Sequence, residues 1–138
     1  MTAQRAGIAA LAAQMAAHGT DRDAPVRSVM ALLGDRWTTL ILLVLGTGEW
    51  RHAELKRVLA QLSAEQAISQ RVLTLKLRTL ERDGFVVRSV SGDVPPKVSY
   101  ALSALGEDLL AHAQGLIGWI EGQSTAIRAA RTGFEADA

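Results

Sequence analysis

Residues 69–84 read Ser69-Gln-Arg-Val-Leu-Thr-Leu-Lys-Leu-Arg-Thr-Leu-Glu-Arg-Asp-Gly84. Val72, Leu73, Leu77 and Leu80 recur at helical spacing and are expected to face a core, and Asp83-Gly84 ends the helix. At about 100° per residue, Gln70, Arg71, Thr74, Leu75, Arg78, Glu81 and Arg82 fall on the opposite arc. Two starts are open: Ser69 can serve as N-cap, and Ser63-Ala-Glu-Gln66 has the spacing of a capping box.

On the N-terminal side, His52 to Leu62 forms another amphipathic pattern, with Leu55, Val58, Leu59 and Leu62 inward and Glu54, Lys56, Arg57 and Gln61 outward. Before it, Pro25 occupies a first helical position ahead of Val26, Val29, Met30 and Leu33, and that short helix ends at Gly34. A nearly all-apolar helix then runs from Asp35 through Leu45 and stops at Gly46-Thr-Gly48, which marks it as the buried centre. On the C-terminal side, Phe85 to Val90 and Lys97 to Leu102 are rich in β-branched and aromatic residues and flank Ser91-Gly-Asp-Val-Pro-Pro96. They predict a hairpin with an exposed tip. Ser103 caps a last helix whose Leu105, Leu109, Leu116, Ile120 and Ile127, spaced 4, 7, 4 and 7 apart, form one seam.

The fold class follows: mainly α with a small β-hairpin wing (α+β), a winged helix-turn-helix with helical dimerisation segments at both ends. Residues 1–20 are expected to be a helical arm, 21–106 the winged domain, and 107–138 a dimerisation helix and tail. Ile8, Leu11 and Met15 make a second unpartnered stripe, so a homodimer is favoured over a monomer with folded-back termini. Gly115, Gly118 and Gly122 permit close approach or a bend in the last helix.

The chain has 138 residues, 49% hydrophobic and 21% charged, enough for one compact domain and unlike a disordered segment. It has no cysteine, which removes disulfides, thiolate metal sites and thiol chemistry. The uncharged run Trp37–Leu45 is about half the roughly 20 residues that span a bilayer, and the expected location is the cytoplasm. Residues 51–100 hold nine Lys and Arg against five Asp and Glu, whereas the net charge of the whole chain is +1. Basic charge therefore gathers on the winged helix-turn-helix.

Such a scaffold lays its second helix in the major groove of double-stranded DNA. Arg71 can pair with guanine O6 and N7, Gln70 can read adenine, and Ser69 and Thr74 lie at the same helix start, where Thr74 can reach a base or a phosphate. Arg78, Arg82, Arg88, Lys97, Lys56 and Arg57 are candidates to neutralise phosphate. Any one of them is equally well read as an ordinary solvated charge.

Four stretches resemble the HxlR-type winged-helix transcriptional regulators: Leu33-Gly-Asp-Arg-Trp-Thr38, Arg51-His-Ala-Glu-Leu55, Ser69 to Gly84, and Val94-Pro-Pro-Lys-Val-Ser-Tyr-Ala-Leu-Ser-Ala-Leu-Gly106. The resemblance spans roughly residues 24 to 120. It implies a dimeric bacterial regulator that reads a palindromic operator with the helix near Ser69 and with the Gly92 to Lys97 wing, and that represses near its own locus. Three departures stand out. Ala24 occupies the position where similar members often carry a sensing cysteine, which excludes thiol control. The segment Ala60 to Ala67 is several residues longer than the usual turn. Leu75 occupies an outward position that is usually polar, consistent with a thymine-methyl contact or an altered site preference.

Other chemistries find little support. His18, His52 and His112 are scattered without metal-ligand spacing, Gly46-Thr-Gly48 lacks the lysine of a phosphate loop, and neither an enzyme, a metal nor a cofactor is expected. Trp37, Trp50 and Trp119 could line an effector pocket where the central and last helices meet, with Trp37 and Trp119 as the candidate lining, although core filling explains them as well. The reading from another class is a winged-helix module that binds a protein, favoured by outward Leu75 and the modest net charge.

Overall fold

The computed structural model describes residues 2–63 and 67–137. The chain divides into two compact units, the first running to Thr38 and the second beginning at Thr39.

The first unit holds α1 (Thr2–His18), α2 (Pro25–Leu33) and the start of α3 (Arg36–Leu45). All described residues of α1 are exposed, Ile8, Leu11 and Met15 among them. Gly19 follows at φ 88°, a conformation that ends a helix at little cost only for glycine. Pro25 starts α2, where its missing N–H costs no hydrogen bond. Asp35 caps α3: its Oδ2 accepts from the backbone N–H groups of Trp37 at 3.1 Å and Thr38 at 2.9 Å, and from the Thr38 hydroxyl at 2.9 Å.

In the second unit α3 continues to Leu45, followed by β1 (Trp50–Arg51), α4 (His52–Leu62), α5 (Gln70–Arg82), β2 (Val86–Val90), β3 (Val98–Leu102), α6 (Ala104–Gly122) and α7 (Ser124–Asp137). Ile41 and Leu42 of α3, Leu55 and Leu59 of α4, and Leu73, Leu77 and Leu80 of α5 are fully buried. Burying each such side chain is worth about 1.5–3 kcal/mol, so this cluster sets how the helix-turn-helix packs. The strands form an antiparallel sheet in the order β1-β3-β2, with Trp50 opposite Tyr100 and Arg88 opposite Tyr100 on the other side.

The architecture is the expected one, mainly helical with a winged helix-turn-helix; three details differ and one open alternative is decided. A third strand, β1, pairs with β3 beside the anticipated hairpin. Val72 is 38% exposed and not in the core, because the buried line of α5 runs through Leu73, Leu77 and Leu80 and leaves Val72 at its edge. The last helix is two helices: α6 stops at Gly122, Gln123 donates its backbone N–H to Trp119 and Ile120, and the Ser124 hydroxyl bonds back to the Ile120 carbonyl. Ile127 therefore sits on α7, a different helix from the one that carries Leu105, Leu109, Leu116 and Ile120. Finally, of the two possible starts, Ser69 caps α5, its Oγ accepting from the Val72 N–H at 3.1 Å. Gln66, needed for the other, lies with the middle of the Ala60–Ala67 turn outside the described residues.

Among the described residues no single helix is long and apolar enough to cross a membrane.

Candidate nucleic-acid interface

The helix α5 is held by its buried leucines with its other side turned to solvent. Arg71, Leu75, Arg78 and Arg82 are separated by 4, 3 and 4 residues, so they share one stripe, and all are exposed. At about 1.5 Å per residue the stripe is roughly 16 Å long, a length that fits within a major groove. Leu75 is 53% exposed in the middle of it, an apolar contact point among cations. Ser69 and Gln70 are exposed at the start of α5, where unpaired backbone N–H groups create partial positive charge.

The stripe is not uniformly available. The Nε of Arg82 donates to Asp83 Oδ1 at 3.1 Å, which engages the last guanidinium within its own turn. Thr74 is half-buried, and its Oγ1 lies 3.0 Å from His52 Nε2 at the start of α4. This bond ties α5 to α4 across 22 residues of sequence.

The wing brings two more cations. Arg88 on β2 faces Tyr100 across the ladder, so both side chains leave the same face of the sheet. Lys97 closes the tip: its carbonyl accepts from the Ser91 N–H at 2.9 Å, and its own N–H donates to the Ser91 hydroxyl oxygen at 2.9 Å. With its backbone so fixed, the Lys97 side chain is exposed beside the tip residues 92–96.

Between α4, the start of α5 and the sheet lies a cavity of about 730 Å³. Gln70, Thr74 and Arg88, three of the expected DNA contacts, meet at its wall with Lys56 and Arg57 of α4. Arg71, Leu75, Arg78 and Lys97 do not line it. His52 and Tyr100 also belong to this site, with ring centroids 6.2 Å apart, and sequence reasoning assigned neither. His52 lies in the Arg51-His-Ala-Glu-Leu55 stretch and Tyr100 in the Val94 to Gly106 stretch, and neither gives a hint of a partner on another element.

Burial, and secondarily the charge of Lys56, lowers the His52 pKa from its ordinary 6.5. The folded state thus prefers neutral His52, and below about pH 6.5 the unfolded chain holds more protons than the folded one. The contribution of His52 to stability is intact above about pH 6.5 and is lost as the pH falls through the lower folded-state value. Urea midpoints at about pH 7.5 and about pH 5.5 should show a larger acid loss for the native sequence than for His52→Gln. Identical losses in the two proteins would refute the assignment.

Trp119 is 62% exposed, whereas Trp37 is half-buried in the first unit. Trp50 borders a second cavity of about 330 Å³ with Leu40, Leu43, Val58 and Leu62.

Comparison with known proteins agrees with this geometry. A family model described as HxlR-like helix-turn-helix matches residues 32–127. The uncharacterized HTH-type transcriptional regulator YtfH of Escherichia coli strain K12 is 36% identical over 97 residues, covering 70% of this chain and 72% of its own. The solved structure of the putative transcriptional regulator ytfH from Salmonella typhimurium superposes with a TM-score of 0.66 at 33% identity, over 81% of this chain and 95% of that one. The redox regulator HypR in its reduced form gives a TM-score of 0.64 at 32% identity, over 76% of this chain and 98% of that one.

Proposed function

The chain belongs to the HxlR-like family of helix-turn-helix transcriptional regulators, and from that premise we propose that it binds double-stranded DNA sequence-specifically as a homodimer. Each α5 enters a major groove of a palindromic operator, and each wing lies on the adjacent backbone. Transcription is repressed when the operator is occupied. The observation that carries this reading is the exposed Arg71–Leu75–Arg78 stripe on a helix immediately followed by a wing bearing Arg88 and Lys97.

The roles divide by chemistry. Arg71 and Gln70 read bases, Leu75 meets a thymine methyl, and Ser69, Arg78, Arg88 and Lys97 hold the backbone. Thr74 contributes through its bond to His52, and Arg82 joins once its guanidinium leaves Asp83. Ile8, Leu11, Met15, Leu109, Leu116, Ile120 and Ile127 supply the dimer contacts. The chain acts beside the chromosome in the cytoplasm. A small-molecule effector controls it, and thiol oxidation does not, since the chain contains no cysteine to oxidise.

Mobility shifts with the upstream DNA of its own gene, at two salt concentrations, test the reading. Arg71→Ala should lose about 1–3 kcal/mol on the specific site and little on random duplex. Lys97→Ala should weaken all sequences alike and flatten the salt slope by about one unit. Equal losses for Arg71→Ala on both duplexes would take that side chain out of base reading. Exposed Leu75 favours a second reading, a winged-helix protein-interaction module, and absence of any salt-sensitive shift on either duplex would select it.

A further inference from the structure

The cavity beside α5 has a composition that duplex binding does not require. Lys56 and Arg57 of α4 and Arg88 of β2 line one cavity, and among the described residues no acidic side chain lines it. Among those residues, too, none of the three cations is paired with a carboxylate. Three like charges lining one cavity repel one another, so an anion bound there gains from each. Arginine adds planar, bidentate geometry suited to a carboxylate.

His52, Gln70 and Thr74 add polar groups, and the remainder of the wall is apolar. Tyr100 is buried and forms part of it, with Val98 and the methyl groups of alanines on α4. A phosphodiester backbone has no use for such a surface, whereas a hydrophobic body attached to an anion does. About 730 Å³ lies within the roughly 300–1,000 Å³ usual for small-molecule sites.

We propose that this cavity binds a small organic carboxylate, its charge held by Lys56, Arg57 and Arg88 and its apolar body against Tyr100, and that occupancy competes with DNA. The competitive half rests on the DNA-binding reading above. Gln70, Thr74 and Arg88 belong to both surfaces, so an occupant withdraws side chains that the duplex needs and adds negative charge next to the approaching phosphates.

The test uses the full chain with 1-naphthoate and its uncharged counterpart 1-naphthamide. Calorimetry and amide chemical-shift mapping should give one saturable naphthoate site per chain, with shifts confined to α4, the first turn of α5 and the β2–β3 hairpin. The amide should bind about tenfold or more weakly, as loss of a charge-assisted contact predicts. Lys56→Gln and Arg57→Gln should each weaken naphthoate severalfold, and Lys56→Arg should restore most of it. Arg57 is exposed and Lys56 half-buried, and an unchanged thermal midpoint will establish that each variant is folded. Naphthoate should raise the protein concentration needed for half-shift of operator DNA.

Equal affinity for acid and amide, no saturable binding up to millimolar probe, or shifts elsewhere in the chain would overturn the assignment. Site-localised naphthoate binding by a protein that retards no DNA would leave the cavity assignment standing and remove the DNA-binding reading. Tight DNA binding indifferent to bound naphthoate would remove the competitive half.

Discussion

Leu116→Asp and Ile120→Asp should each convert the protein to a monomer in sedimentation and weaken operator binding by about a hundredfold or more. The helix α6 is held to its unit by buried Leu110 and Ala113, and this anchorage fixes which way its other faces point. Leu105, Leu116 and Ile120 lie on the adjoining arc, with Leu116 53% and Ile120 43% exposed. An isolated apolar residue at the surface is ordinary, but a line of them along about four turns is a patch that a second copy would cover. In that interface an aspartate would have to shed its hydration without a counter-charge, a cost of several kcal/mol that a modest interface cannot absorb. The monomer loses little, since either side chain is already in contact with water. Helical circular dichroism should therefore persist while the dimer disappears. Operator affinity falls because each half-site must then be bound separately, without the high effective concentration that linkage provides. An intact dimer in both variants would move the interface elsewhere, with α1 and its exposed Ile8, Leu11 and Met15 the next surface to test.

How much of this was legible depends on the range of the interaction concerned. The boundaries of α4 and α5 are written locally: Ser69 caps one end of α5, Asp83-Gly84 closes the other, and the leucine period fixes the buried face. The hairpin is equally local, its β-branched strands flanking a proline-containing tip. β1 was not readable, because two residues carry no alternation and Trp50–Arg51 becomes a strand only through pairing with Tyr100 and Ser99, far along the chain. The break after Gly122 was half-visible. Glycine permits a bend there, yet the leucine–isoleucine spacing continues through it, and periodicity alone favours one helix. For the site, outward positions on α5 followed from a rotation of about 100° per residue. The His52–Thr74 bond and the cavity of Lys56, Arg57 and Arg88 did not, because they exist only once two helices and a sheet are folded together.

Gly106→Ala should lower the thermal midpoint by about 10 °C or more, the effect of roughly 3 kcal/mol in a chain of this size. Gly106 lies in the first turn of α6, and a Cβ there would overlap the carbonyl oxygen of Phe85, with the Phe85 carbonyl carbon at 2.9 Å and Leu102 Cδ2 at 3.2 Å. The obstacle is backbone, which cannot rotate aside as a side chain can. It is also committed backbone: the Phe85 carbonyl accepts from the Ser103 N–H at 3.0 Å, and the Phe85 N–H donates to Leu80 at 2.9 Å. The Ser103 hydroxyl donates to the Gly84 carbonyl at 2.6 Å and accepts from the Gly106 N–H at 3.0 Å, so cap and clash share the same few atoms. Relief requires the first turn of α6 to withdraw from the end of α5, breaking bonds that position the wing relative to the reading helix. DNA affinity should consequently fall even at temperatures where Gly106→Ala remains folded. Gly118→Ala is the matched control, since a Cβ at Gly118 meets nothing within 4 Å and replaces glycine inside the same helix. It should gain about 0.5–1 kcal/mol from helix propensity. A Gly106→Ala midpoint equal to that of Gly118→Ala would mean that α6 is not pinned against Phe85, and the wing would then need another anchor.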